Sequence, residues 1–322
     1  MNISWGNVHL TPIIFLLCAF AAWGQDYPSR AVRVLVPFPP GGAPDLVGRT
    51  LASRLSERLG QPFVVENRTG AGGNIAAEAV AKAAPDGYTL LAASDGPLVI
   101  NPNVYASVPF DTLRDFAPIS LAASIGLVLM ACPSTHITNI GELITAGRSK
   151  KLTYASSGFG SSQHLAGEML KASAAIELTH VPYKGFAPAV VDALACNVDL
   201  IFGAISTGLP HVRSGKLKAL AVTLPRRHPG LPETPTFGEA GHPAVAIEAY
   251  MGLLAPAGTS RAIIGRLHSE VVAILAESET AERLKGAGLD VVGNSPDEFA
   301  ARIRSDLEKF AKVAKSLGTK AE

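Results

Sequence analysis

Two copies of one device predict an α/β protein of two lobes facing each other across a cleft. In each copy an apolar run ends in a glycine turn that leads straight into an amphipathic helix. Short apolar strands and helices alternate around both, which predicts parallel sheet with right-handed crossovers. The two copies are expected in two separate sheets. Ligands of open α/β sheets bind outside the carboxyl ends of the strands, so both devices point at one site.

The first device spans residues 32–59. Val32, Val34, Leu35 and Val36 form an apolar, β-branched run with the character of a buried parallel strand. Gly41 and Gly42 open a tight turn, and Pro44 suits a first helical turn because its missing N–H has no intrahelical partner there. Leu46, Val47, Leu51, Leu55 and Leu59 recur at three- and four-residue steps, which predicts a helix to about Gly60. A helix N-terminus with bare N–H groups aimed past a strand end accepts an anion. Competing signatures fail. There is no G-x-x-x-x-G-K-[ST] phosphate loop and no G-x-S-x-G elbow, and Ile75 stands where a dinucleotide fingerprint begun at Gly70 and Gly72 needs its third glycine.

Residues 63–67 predict a second strand, 75–84 a helix after the turn at Gly70–Gly73, and 88–93 a third strand. Ser94-Asp95-Gly96 ends that strand on the same edge as Gly41. Residues 127–131 predict another strand and 140–148 a helix capped by Asn139 or Thr138. The second device follows: strand 151–155, turn Ser156-Ser157-Gly158-Phe159-Gly160, then a helix capped by Ser161 or Ser162 and running to about Ala172. Strands at 178–183, 198–202 and 217–222 alternate with helices at 188–195 and 206–213. Residues 224–243, rich in Pro, Gly and charge, predict a loop region, and 246–254 are extended. Helices are predicted at 260–276, 279–286 and 296–317, the last with Phe299, Ile303, Leu307, Phe310 and Val313 on one face.

The 322 residues suffice for two α/β lobes. A net charge of +1 gives no field favouring nucleic acid or an acidic membrane, and 6% aromatic residues argue against a base-stacking platform. Residues 13–22 form an apolar core too short to span a bilayer, and Ala22-Trp23-Gly24 offers small residues where a signal peptidase reads them. A signal peptide over 1–24, cleaved near Gln25, and a periplasmic address are expected, although residues 1–12 hold no Lys or Arg. The mature chain, lacking a second long apolar run, is expected to be soluble. It keeps Cys132 and Cys196; their apolar settings favour two ordinary buried thiols over a disulfide. Cys132 and His136 have a loose metal-like spacing without a second pair, so no metal or other cofactor is assigned.

The motifs, in order, resemble the substrate-binding receptors of tripartite tricarboxylate transporters, the Bug receptors. They are PFPPGGAPD at 37–45, GQPFVVENRTGAGGNIAAEAVAKAAPDGYTLL at 60–91, NPNVY at 101–105, DFAPIS at 115–120, YASSGFGSSQHLAGEML at 154–170, HVPYKG at 180–185, KALAVT at 218–223, LPETPTFGEAG at 231–241 and APAGT at 255–259. The resemblance covers residues 26–318. It implies a type II periplasmic-binding-protein fold, with one lobe of residues 26–122 plus 246–322, a second of 123–245, and hinge closure on a ligand. It also implies a small carboxylate ligand (a dicarboxylate, amino acid or aromatic acid), membrane components of a transporter as partners, no nucleic acid, a monomer, and no enzymatic activity.

In that family, loops matching 38–45 and 157–164 hold one carboxylate through backbone amides, hydroxyls and bridging waters. The ligand-binding residues expected here are Phe38, Pro40, Gly41, Gly42, Asp45, Ser94, Ser157, Gly158, Gly160, Ser161, His164, Tyr183, Gly203 and Ala204. Asp45 at a helix start is read mainly as orienting its loop. His164 has a second reading as a surface histidine paired with Glu168, and His180, Tyr183 and Lys184 have one as strand-end packing. The chain departs from the family where Phe202-Gly203-Ala204 replaces Phe-Asp-Asn, which argues against a charged or amine-bearing ligand tail; Ala249-Tyr250-Met251-Gly252 replaces Trp-Tyr-Gly, and Cys196 replaces a glycine. Two alternatives share the cleft: a hydrolase built on Asp45, Ser161 and His164, and a sensor-type receptor for a signalling partner. A cytosolic regulator would need a DNA-binding helix-turn-helix, which residues 1–25 do not supply.

Overall fold

A computed structural model describes residue 1 and residues 27–317. The expected signal peptide, residue 1 apart, and its cleavage site lie outside the described residues. Among the described residues ten strands run in one connected sheet in the order β2 (Phe63–Asn67), β1 (Val32–Val36), β3 (Thr89–Ser94), β9 (Glu248–Pro256), β4 (Phe116–Ala131), β7 (Leu200–Ala204), β5 (Leu152–Ser156) and β6 (Leu178–Pro182), with β8 (Lys218–Val222) and β10 (Asp290–Val291) also pairing to β4. In the first half, β1 (Val32–Val36) pairs in parallel with β2 (Phe63–Asn67) and β3 (Thr89–Ser94). In the second, β5 (Leu152–Ser156) pairs in parallel with β6 (Leu178–Pro182) and β7 (Leu200–Ala204).

The halves meet through β4 (Phe116–Ala131), a strand of 16 residues. Phe116–Gly126 runs antiparallel to β9 (Glu248–Pro256), which in turn pairs antiparallel with β3. Leu127–Ala131 runs antiparallel to β7 and to β8 (Lys218–Val222). The expectation of two separate sheets is therefore corrected: one strand belongs to both, and it starts earlier than residue 127. The changeover falls at Gly126, where a Cβ would overlap the Leu224 side chain. Nearly all of β4 is buried, as a strand covered on both faces should be. The two-residue β10 (Asp290–Val291) pairs with Ser124 and Ala123 just before the changeover.

The helices follow the sequence signals. In the first half α1 (Ala43–Leu59) buries Val47, Leu51 and Leu55 and ends on Gly60, whose left-handed backbone lets its N–H reach the Ser56 carbonyl at 3.0 Å. α2 (Asn74–Ala81) and the short α3 (Asn101–Val104) and α4 (Thr112–Asp115) follow. In the second half α5 (Ile140–Ser149) is capped by Asn139 and α6 (Ser162–Ala174) by Ser161, each side-chain oxygen accepting an N–H of the first turn. α7 (Phe186–Leu194) and α8 (Ile205–Arg213) complete it. The chain then returns: α9 (Arg261–Ala276), α10 (Ser278–Gly286) and α11 (Pro296–Leu317) belong beside the first half. Phe299 of α11 is fully buried, its ring edge-on to Tyr250 of β9 at 5.9 Å. Gly252 makes room for it, because a Cβ there would sit against the Phe299 ring.

The two cysteines form a disulfide, which corrects the expectation of free thiols. Cys132 follows β4 and Cys196 sits in the turn before β7, two neighbouring antiparallel strands. The Cys132 N–H donates to the Asp199 carbonyl at 2.9 Å, and Cys196 takes φ 59°. That left-handed residue turns the chain so that the Cα atoms stand 5.5 Å apart, within the usual span of a bridge.

Candidate functional site

Both glycine turns stand where the sequence places them, at the carboxyl ends of β1 and β5. In the first, Asp45 is buried and organises the loop. Its Oδ2 accepts from the Gly41 N–H at 3.0 Å, its Oδ1 from Asn67 Nδ2 at 2.8 Å, and both oxygens from Arg49 Nε at 3.0 Å. Asn67 Nδ2 also donates to the Phe38 carbonyl at 2.9 Å, tying the turn to β2. Burial pushes the Asp45 carboxyl up, but Arg49, Asn67 and the Gly41 N–H outweigh it and hold it below the ordinary range. Asp45 is therefore charged, and its charge is spent inside the loop. Gly41 takes φ 89°, with nothing within 4 Å of where a Cβ would project. Pro40 is exposed, Phe38 half-buried, and Gly42 caps α1 with no side-chain bond.

In the second turn Ser161 Oγ donates to the Gly158 carbonyl at 2.7 Å and accepts the His164 N–H at 3.2 Å. Ser157 Oγ donates to Gln163 Oε1 at 2.9 Å. Beneath the turn lies an aromatic stack: His164 on His180 with ring centres 4.2 Å apart, and His180 on Tyr154 at 4.9 Å. His180 Nε2 meets Ser156 Oγ at 2.7 Å, and His164 Nδ1 accepts the Gly160 N–H at 3.4 Å. Burial holds His164 down to about 4 and His180 down to about 3, so both are neutral at neutral pH. The surface reading of His164 fails. It is buried, and Glu168 instead accepts from Tyr154 Oη at 2.8 Å and from Lys171 Nζ at 2.8 Å.

The two turns converge through residues that the motifs contain but sequence reasoning did not single out. A Cβ on Gly160 would overlap the Asn101 side chain. Asn101 is wholly buried and fixed by Nδ2 donating to the Gly72 carbonyl at 3.0 Å and to Asn74 Oδ1 at 2.6 Å. Tyr105 meets Phe159 edge-on at 5.5 Å, and a Cβ on Gly96 would stand 3.2 Å from the Gly160 carbonyl oxygen. Gly185 approaches Pro39, at 3.8 Å from its Cγ by the same construction. The loops 37–42, 70–73 and 96–101 of the first half thus form a seam with 158–162 and 185 of the second.

The remaining expected residues sit around this seam. Ser94 is buried at the end of β3. Tyr183 donates its N–H to the Ser156 carbonyl at 3.2 Å and its hydroxyl to Asp192 at 2.6 Å; burial, with Asp192, pushes the phenol up to about 12. Gly203 and Ala204 end β7 and are buried, Gly203 beneath the Phe186 ring and Met130. No hydrogen bond links Asp45 to Ser161 or His164; Asp45 bonds within its own loop and Ser161 and His164 within theirs. Among the described residues no group of three or more His, Cys, Asp or Glu could hold a metal. Two surface grooves lie elsewhere: one lined by Ser206, Arg213, His228 and Lys285, the other by residues of 133–139, 212–220 and 230–235. Their walls contain none of the glycine-turn amides.

Glycine turns from two α/β halves that share one sheet, brought to a common seam, are the arrangement of a solute-binding protein of the periplasmic type. A family model for the tripartite tricarboxylate transporter family receptor matches residues 47–319, and the chain belongs to that family. Protein BugT of Bordetella pertussis is 35% identical over 299 residues, 92% of each chain. Rpa4515 of R. palustris, in a structure with adipate, superposes with a TM-score of 0.86 at 35% identity, covering 92% of this chain and 99% of that one. MatC from Rhodopseudomonas palustris, with bound malate, gives a TM-score of 0.83 at 31% identity over 89% of this chain and 100% of that one. The receptors of this family are periplasmic solute-binding proteins. Among the described residues no helix is long and apolar enough to cross a membrane.

Proposed function

We propose that this protein is an extracytoplasmic receptor that binds a small carboxylate between the loops 38–45 and 157–164 and delivers it to the membrane components of a tripartite tricarboxylate transporter. The observation that carries the reading is the seam itself, where Gly185 approaches Pro39 of the first turn and Gly160 of the second meets Asn101 and Gly96, with a helix N-terminus following each turn and no Lys or Arg in either. Backbone N–H groups, hydroxyls and helix dipoles then supply the positive potential, with waters filling the gaps. Adipate and malate in the related structures support a dicarboxylate. The uncharged Gly203-Ala204 end of β7 argues against an amine-bearing tail.

In this reading residues 26–122 plus 246–322 form one lobe and 123–245 the other, and they part and close about the changeover in β4. The chain acts as a monomer with no cofactor and no catalysis. The Cys132–Cys196 disulfide supports the oxidising periplasm as its address. A thermal-shift screen of mono- and dicarboxylates, amino acids and aromatic acids tests the reading, since a ligand of the folded state raises the melting temperature. A dicarboxylate is expected to give the largest shift, with a micromolar dissociation constant of about −8 kcal/mol. Turnover of carboxylate esters or amides, with no shift from any acid, would favour the hydrolase instead.

A further inference from the structure

At the end of β3 the chain buries a carboxyl with an unmet need. Asp95 is 2% exposed, and its Oδ2 has no hydrogen-bond partner. Four elements surround it. From α6, across the seam, Ser162 offers a side-chain hydrogen bond, and from its own turn Gly96 offers a backbone N–H. From β9 comes Tyr250, a buried phenol whose hydroxyl is also without a partner. From α11 come Asp306 and Arg302. Arg302 already serves Asp306 at 2.6 Å, lies 3.6 Å from Glu248 and covers the Tyr250 ring at 5.2 Å. The turn 156–162 contributes no titratable side chain.

Asp95 therefore lies on the first half's side of the seam, against the N-terminus of α6. That is the helix end the proposed ligand carboxylate would also face. Two carboxylates cannot share one such end without a proton between them. Of the groups around Asp95 only Ser162 lies across the seam, so parting the loops would break that contact and open this side of the carboxyl to water, whereas the packed seam leaves it 2% exposed.

We propose that Asp95 is a proton latch: when the seam closes on a ligand, this side chain takes up a proton, so binding is coupled to proton uptake. The latch rests on the two-lobe, carboxylate-binding reading above. In the packed seam, burial pushes the Asp95 carboxyl up to about 7; Ser162, Gly96 and Arg302 pull it back, and Asp306 pushes it further. In water a carboxyl titrates near 4. The sign follows from linkage: the closed state, with the raised pKa, is favoured fully below about 4, progressively less up to about 7, and at a constant level above that.

The test is calorimetric titration of malate and adipate into wild-type protein and Asp95→Asn, in buffer pairs of different ionisation enthalpy. Wild type should take up a proton on binding near pH 5.5, approximately one per ligand beyond what the ligand itself exchanges, and Asp95→Asn should not. The ratio of wild-type to variant affinity should fall about tenfold or more from about pH 5.5 to about pH 7.5. Equal proton uptake by the two proteins would overturn the latch. If neither acid binds, the ligand reading has failed and stability decides the latch alone: denaturant unfolding of wild type, relative to Asp95→Asn, should weaken from about pH 4 to about pH 7. Parallel profiles over that range would then overturn it.

Discussion

Gly160→Val should lose at least tenfold in carboxylate affinity, about 1.4 kcal/mol, while the protein remains folded. Two costs combine at this position. Gly160 takes φ 74°, a left-handed conformation that a β-branched residue resists by about 1–2 kcal/mol. Its new Cβ would then press on Asn101. That side chain has nowhere to go, since it is buried and doubly bonded to Gly72 and Asn74. Because Asn101 and Gly160 belong to opposite sides of the seam, the collision opposes closing more than folding. Gly60→Ala is the control: it shares the left-handed backbone, has open space around the added carbon and lies outside both turns, so only the strain remains. Calorimetry with a binding dicarboxylate, alongside circular dichroism, reads the difference. Unchanged affinity in a folded Gly160→Val protein would remove the second turn from the site.

Opening the disulfide should give the largest change in stability. The bridge joins residues 64 apart, and closing a loop of that length in the unfolded chain is worth about 4 kcal/mol in the chain-entropy account. Cys196→Ser, or reduction of the wild type, should lower the melting temperature by about 5–10 °C. Binding should change much less. The bridge ties the end of β4 to the turn before β7, away from the seam. A melting temperature insensitive to reductant in protein recovered from the periplasm would contradict the bridge.

Local pattern made the two devices legible. The leucine spacing of α1, Pro44 in its first turn and the Ser161 cap of α6 act within a few residues of themselves, and the structure places both helices where those signals fall. What the sequence concealed is non-local. Residues 116–126 carry Pro118, Ser120 and Ser124 among their apolar residues, and they become strand because β9, more than a hundred residues later, pairs with them. The cysteines look like ordinary apolar residues until β4 and β7 lie side by side. His164 on an apparently amphipathic helix start reads as a surface group, yet packing over His180 buries it. Asp95 after a strand reads as a turn former; α6, α11 and β9 converge to make it a buried carboxyl. Asn101 stands in the NPNVY motif, but its contact with the second turn depends on how the halves meet.

If backbone amides of two turns, one from each half, hold the carboxylate, both turns must respond to one ligand. Amide resonances of 15N-labelled protein, titrated with the dicarboxylate that gives the largest thermal shift, report this residue by residue. The largest shifts are expected at Gly42, Ala43 and Asp45 of the first turn and at Gly158 through Ser162 of the second, moving together with one dissociation constant. Shifts confined to one turn, or centred on Arg213, His228 and Lys285 in the groove beside α8, would contradict it.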